Sequence, residues 1–133
     1  MPATDLREPD LTTDDLAHAV IGAAIEVHRL LGPGFLEQVY EEALCVELRL
    51  RGLPFERQKA VKVDDKGALV GEGRIDLLVG GRLVVELKAV KALAPIDRAK
   101  VISYLRATRR HLGLLINFQV AVLKDGIQRV VVS

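Results

Sequence analysis

The segment from Gly73 to Lys88, GRIDLLVGGRLVVELK, constrains the fold of this 133-residue chain more than any other stretch. Its two apolar halves have the length of β-strands, and the Gly80-Gly81 pair between them is typical of a tight hairpin turn. Because side chains alternate between the two faces of a strand, Glu86 and Lys88 are predicted to project from the same side. The hairpin register can also bring Asp76 close to Glu86. The sequence thus predicts two carboxylates and an ammonium group on one rigid surface.

These three charged residues have two interpretations. Carboxylate oxygens suit a hard cation such as Mg²⁺ or Mn²⁺, and Lys88 could then orient a water molecule or stabilise charge on a phosphate. Alternatively, they form a cross-strand ion pair on a solvated sheet face. The surrounding strands are strongly apolar, and burying charges for stability alone is costly. We therefore favour a metal site with Asp76 and Glu86 as ligands.

The remaining hydrophobic periodicity predicts one α/β domain built on a mixed sheet. Apolar residues at three- and four-residue spacing predict helices at 14–31, 36–50 and 96–110. Alternating or continuous apolar runs bounded by turn residues predict strands at 55–63, 68–79, 82–90, 112–118 and 127–132. The predicted element order is α-α-β-β-β-α-β-β.

Composition sets the domain boundaries and the compartment. Residues 1–11 are polar and contain two prolines, so we expect a flexible arm followed by a folded domain at 12–133. The single Cys45 excludes an internal disulfide and a cysteine-rich zinc site. No apolar run approaches the roughly 18 residues of a membrane span, and the N-terminus has no apolar signal core. We therefore expect no membrane association and a cytoplasmic location.

Two further groups of residues are candidates for the site. Glu37 lies in the first turn of the second helix, where it could be a third metal ligand or a base. Alternatively, it only interacts favourably with the positive end of the helix dipole and has no other role. The third predicted helix concentrates positive charge in a chain whose net charge is only +1. This helix is either a phosphate-binding face or a solvated surface. Its candidate contacts with nucleic acid are Lys100, Tyr104, Arg106 and Arg109.

The sequence from Gly34 to Tyr40, GFLEQVY, resembles the signature of the GxxExxY proteins, a family within the PD-(D/E)xK nuclease-like superfamily. The stretches IGAAIEVHRLLGPG, IDLLV…VVELKAV and GLLINF extend this resemblance over most of the chain. It implies a restriction-endonuclease-like core, a central mixed sheet with flanking helices, in which Glu37 is the helix-borne acid. By the same resemblance, Asp76 and Glu86 are metal ligands and Lys88 is the catalytic lysine. One departure is Lys100, which occupies a position where related proteins often carry glutamine.

From these residues we expect a Mg²⁺- or Mn²⁺-dependent nuclease that acts on nucleic acid, more readily on DNA than on RNA. The main-chain carbonyl of Leu87 is a candidate additional metal ligand. Two alternatives remain open: a module on the same fold that binds nucleic acid or a protein without cleaving it, and an assembly protein whose apolar surface forms a homodimer.

Overall fold

The computed structural model describes residues 11–133, so residues 1–10 of the predicted arm lie outside the described part of the chain. All the predicted helices and strands are present, in the predicted order. The helices are α1 (Thr13–Leu31), α2 (Glu37–Leu50) and α3 (Pro95–Ala107). The strands are β1 (Phe55–Asp65), β2 (Ala68–Val79), β3 (Leu83–Lys88), β4 (Leu112–Asn117) and β5 (Ile127–Val131). A short 3₁₀ helix, Leu123–Gly126, precedes β5.

The five strands form one mixed sheet in the order β1-β2-β3-β4-β5. Strands β3 and β4 are parallel, and the other neighbouring pairs are antiparallel. A parallel pair needs a crossover connection, which α3 provides between β3 and β4. The predicted α/β fold with a mixed sheet and flanking helices is therefore confirmed. In the described part of the chain, no helix combines the length and apolar character needed to cross a membrane.

The sheet carries a hydrophobic core on each face. Helices α1 and α2 pack on one face against residues such as Leu77 and Val85, and α3 packs on the other against residues such as Val84 and Leu115. Every residue of β4 is buried, as its continuous apolar sequence predicts for a central strand covered on both faces. The crossover thus fixes the position of α3 over the face that carries Glu86 and Lys88.

Helix α3 ends three residues earlier than the periodicity predicts. The chain leaves the helix at Thr108, and Arg109 adopts a left-handed conformation with φ of 56°. The N–H of Arg110 then donates to the carbonyl of Leu105 at 2.9 Å, which closes the helix end. The polar segment after Ala107 has no apolar side chain to bury before β4 begins. Arg109 consequently lies beyond α3 rather than on its surface.

The hairpin turn between β2 and β3 is also one residue longer than predicted. Val79 pairs with Leu83, so Arg82 belongs to the turn together with Gly80 and Gly81. Both glycines have positive φ angles, of 60° and 71°, a conformation that glycine adopts without steric penalty. The strand register remains compatible with the predicted approach of Asp76 to Glu86.

Candidate metal centre

The ladder between β1 and β2 is interrupted where the candidate ligand Asp76 lies. Arg57 pairs with Leu77 and Lys59 pairs with Ile75, but the intervening residues, Gln58 and Asp76, are not paired. Gln58 has a φ of 50°, in the left-handed region. Ile75 packs in the core under α3, whereas Leu77 packs in the core under α1 and α2. Side chains two residues apart normally share a face, so β2 changes the face that it presents at Asp76.

Asp76 and Glu86 lie side by side across β2 and β3. The backbone N–H of Asp76 donates to Oε1 of Glu86 at 3.4 Å. In return, Oδ2 of Asp76 accepts a hydrogen bond of 2.8 Å from the backbone N–H of Leu87. These two bonds continue the hairpin beyond its last paired residues, Leu77 and Val85. The structure therefore brings together the two carboxylates that the sequence places opposite each other.

Glu86 is buried in surroundings that oppose its ionisation. Only 3% of the residue is exposed to solvent. Loss of hydration, and next the negative charge of Asp76, raise the pKa of the Glu86 carboxyl to about 9. The ammonium group of Lys100 acts in the opposite direction but does not cancel these effects. A bound cation would stabilise the ionised form of this carboxylate, so the electrostatics of the site favour metal binding.

Lys88 projects toward α3 and contacts an acid that the sequence alone did not single out as a partner. Its Nζ lies 3.6 Å from Oδ1 of Asp97, and both side chains are largely shielded from solvent. The other oxygen of Asp97 accepts a hydrogen bond of 2.8 Å from the N–H of Ala94 at the start of α3. Asp97 thus links the first turn of α3 to the candidate catalytic lysine. In the sequence, the sign of this role was the position of Asp97 as the third residue of a helix that starts with proline.

Tyr40, the last residue of the GxxExxY segment, holds in place the bend that precedes Glu37. The Tyr40 hydroxyl donates to the carbonyl of Gly32 at 2.6 Å and accepts from the N–H of Phe35 at 3.2 Å. Its ring stacks on Phe118, with 4.6 Å between the ring centroids. The buried tyrosine therefore fixes the start of α2, from which Glu37 projects.

The charges of the site affect the pKa of Glu37, but this residue lies at the margin of the site. The residue is exposed, yet partial burial of its carboxyl and the charge of Asp76 raise its pKa, while Lys88 lowers it. Among residues 11–133, no three His, Cys, Asp or Glu side chains lie close enough together to hold a metal ion. The structure therefore does not gather Glu37 with Asp76 and Glu86 into a single cluster.

A polar network that the sequence did not predict lies between α2 and Asp76. The side-chain amide of Gln58 donates to Oε1 of Glu41 at 3.1 Å and to Oδ1 of Asp76 at 3.3 Å. Glu41 is buried and forms an ion pair of 2.9 Å with Arg57. Glu41 follows Glu37 by one helical turn, which was the only local signal of its position. Gln58 thereby orients the carboxylate of Asp76.

The basic residues of α3 do not share one face. Lys100 lies toward Glu86, with its Nζ 5.6 Å from the centroid of the Tyr104 ring. The Tyr104 hydroxyl accepts from the N–H of Arg74 at 3.3 Å, so this ring rests on β2. Arg98 instead contacts β5, and Arg106 is exposed. The positive charges of α3 are therefore divided between different directions.

The residues present fit a divalent cation held by few protein ligands. Asp76 and Glu86 offer only oxygen atoms, and neither forms an ion pair with Lys or Arg among the described residues. Mg²⁺ is commonly bound by one or two carboxylates together with water and phosphate oxygens. The two carboxylates meet this requirement without a third acid. The role of the Leu87 main-chain carbonyl as a further ligand stays a prediction.

Comparison of the chain with known proteins places it in a family. The sequence model of the PD-(D/E)XK nuclease superfamily matches residues 14–130, which include β1 to β4, all but the last residue of β5, and both candidate ligands. Comparison with the curated proteins and with the solved structures gives no significant match. The match spans nearly all of the described residues and agrees with a mixed sheet that carries adjacent acids beside a lysine. The chain belongs to the PD-(D/E)XK nuclease superfamily.

Proposed function

We propose that this protein is a divalent-metal-dependent nuclease of the GxxExxY group that hydrolyses phosphodiester bonds of DNA in the cytoplasm. The buried pair of carboxylates, Asp76 and Glu86, carries this proposal. A fold that served stability alone would gain little from placing Glu86 at 3% exposure beside a second acid. Membership of the superfamily supports phosphodiester hydrolysis as the chemistry.

Each residue of the centre has a proposed role. Asp76 and Glu86 hold Mg²⁺ or Mn²⁺, and the carbonyl of Leu87 is an additional ligand. When bound, the cation supplies positive charge that polarises the phosphate and lowers the pKa of a bound water. Lys88, held by Asp97, orients the attacking water or stabilises charge on the phosphate. Glu37 serves as a base at the margin of the centre.

Phosphate contacts from α3 complete the proposal. Lys100 lies close enough to the acidic pair to meet a phosphate bound there. Arg106 is exposed and reaches the backbone of the nucleic acid at a greater distance from the centre. Tyr104 supports Lys100 and packs on β2, where a Cβ at Gly73 would lie 2.6 Å from its ring. Arg109, outside the helix, is expected to touch phosphate independently of the others.

The direct test is a cleavage assay with the purified chain, Mn²⁺ or Mg²⁺, and single-stranded, duplex and branched DNA and RNA. Cleavage by the wild type, its loss in Asp76→Ala and its loss in EDTA would support the proposal. Calorimetry on the same proteins measures metal binding separately from turnover. Equal Mn²⁺ affinity in the wild type and Asp76→Ala would contradict the ligand assignment.

A second candidate function is binding of nucleic acid without cleavage. The position of Glu37 outside any three-acid cluster favours it, because it leaves two carboxylates for the metal. A wild type that binds DNA but never cleaves it with any metal would establish this alternative. Homodimer formation is compatible with both functions, since Leu36 and Leu50 of the α2 region are more than three-quarters exposed. A sizing column tests the dimer.

A further inference from the structure

A cleft of about 500 Å³ lies at the opposite end of the sheet from the metal centre. Its walls come from four separate parts of the chain: the start of α1, the turn between β2 and β3, the segment that leads into β4, and the end of β5. Among the described residues, four arginines line it: Arg82, Arg109, Arg110 and Arg129. A volume of this size is within the range of small-molecule sites.

The charge of this arginine cleft is only partly neutralised. Among the described residues that line the cleft, Asp14 is the single carboxylate, and it pairs with Arg129. The guanidinium groups of Arg82 and Arg110 donate to the backbone carbonyls of Leu11 and Gly81, contacts that orient them but do not cancel their charge. Since the whole chain has a net charge of only +1, the cleft is an unusual concentration of positive charge.

The donor chemistry indicates what the cleft can bind. A guanidinium group presents several N–H donors in a plane and matches the oxygen atoms of a phosphate in a bidentate geometry. Leu112 and Val131 add apolar surface beside the arginines. A ligand that fits both features carries phosphate groups and a less polar portion of about the size of a nucleotide.

We propose that the arginine cleft is a second, metal-independent site that binds phosphate groups, supplied either by a free nucleotide or by the backbone of a nucleic acid. The site is separate from the metal centre. The four residue steps from Arg82 to Glu86 span roughly 13 Å at about 3.3 Å per step, so one phosphate cannot reach both places. The two parallel strands β3 and β4 begin at the cleft and run toward the metal centre.

The test measures phosphate binding to the full chain in EDTA, so that the metal centre is silent. The probes are inorganic tripolyphosphate, by calorimetry, and a fluorescent ten-nucleotide DNA strand, by anisotropy. The variants are Arg82→Gln, which leaves every ion pair of the described residues intact, and Arg82→Gln combined with Arg129→Gln. Arg29→Gln is the control, because Arg29 is an exposed arginine of α1 outside the cleft.

We expect the double variant to bind at least one probe about tenfold more weakly than the wild type, in keeping with the loss of charge-assisted hydrogen bonds. The Arg29→Gln control should bind as the wild type does. A loss confined to tripolyphosphate identifies free phosphorylated molecules as the ligand, and a loss confined to the DNA strand identifies backbone phosphates. Equal affinities in the control and in both cleft variants, with melting curves showing folded proteins, would overturn the proposal. Because no metal or cleavage is involved, this outcome is independent of the nuclease proposal.

Discussion

The backbone N–H of Leu87 donates a hydrogen bond of 2.8 Å to Oδ2 of Asp76. This bond replaces a rung of the ladder between β2 and β3 with a contact from a side chain. The carboxylate is therefore both a candidate metal ligand and part of the sheet. A substitution at Asp76 must be designed to separate these two roles.

Asp76→Asn should separate them. The amide carbonyl can still accept from the N–H of Leu87, while the repulsion between Asp76 and buried Glu86 disappears. In EDTA at a pH above 9, where Glu86 is ionised and this repulsion acts, we expect the melting temperature to rise by about 4 °C, equivalent to about 1 kcal/mol. In calorimetry without EDTA, Mn²⁺ binding should be lost. Asp64→Asn, at an exposed position of β1, is the matched control. A fall in melting temperature would mean that Asp76 is mainly a structural partner of Gln58.

Glu86 should make the metal-free protein less stable as the pH rises. Its pKa of about 9 in the folded protein exceeds the ordinary value of 4.5, so the folded state holds a proton that the unfolded state releases. Between these values the folded state binds more protons, and stability falls with pH by at most about 1.4 kcal/mol per unit. Thermal melts from pH 5 to 9 should show a flatter dependence for Glu86→Gln. The exposed control Glu72→Gln should follow the wild type; parallel curves for all three proteins would refute the prediction.

Lys88→Ala should affect catalysis more than binding. A lysine that acts on the transition state contributes to turnover and little to substrate affinity. We expect single-turnover cleavage to fall by about two orders of magnitude or more, with DNA affinity within about twofold of the wild type. Lys62→Ala, at an exposed position of β1, controls for the loss of a positive charge. Cleavage at the wild-type rate would exclude the proposed mechanism.

Lys100→Gln should strengthen metal binding. The Lys100 ammonium faces Glu86 and Asp76, so it opposes the arrival of a second positive charge. Calorimetry should show Mn²⁺ affinity rising by roughly three- to tenfold, and Lys91→Gln, an exposed change beyond β3, should leave it unchanged. Weaker binding in Lys100→Gln would instead assign Lys100 to positioning the ligands.

Arg106→Ala should weaken DNA binding, and the loss of affinity should depend on the salt concentration. A phosphate contact releases counterions, so its removal should lower the log–log salt slope by about one. Cleavage of bound DNA in a single turnover should remain close to the wild-type rate. Anisotropy titrations across a salt series measure the slope, with Arg29→Ala as the control. An unchanged slope would show that Arg106 does not touch phosphate.

The sequence predicts those parts of the structure that depend on local periodicity. Alternation within the hairpin places Glu86 and Lys88 on one face and brings Asp76 opposite Glu86. The left-handed conformation of Gln58 was not predictable, because it depends on contacts with Glu41 and Asp76 that tertiary packing creates. The pairing of Lys88 with Asp97 likewise requires the position of α3 over the sheet.

The arginine cleft illustrates the same limit on a larger scale. Its residues come from segments that are far apart in the chain, and each arginine alone is typical of a solvated surface. The early end of α3 is a further example, since the basic sequence after Ala107 is compatible with a helix. The chain leaves the helix there because Leu112 must enter the buried centre of the sheet.

The change of face at Asp76 divides the long β1–β2 hairpin into two parts. Toward its turn, beyond the buried Val61, the hairpin has Val63 and Leu69 exposed and packs little against the helices. The part between Asp76 and the β2–β3 turn is held in register by the hydrophobic cores on both faces of the sheet. Natural variants of this protein should therefore differ in length at the tip of the hairpin, between Val63 and Leu69, while the spacing from Asp76 to Lys88 stays constant.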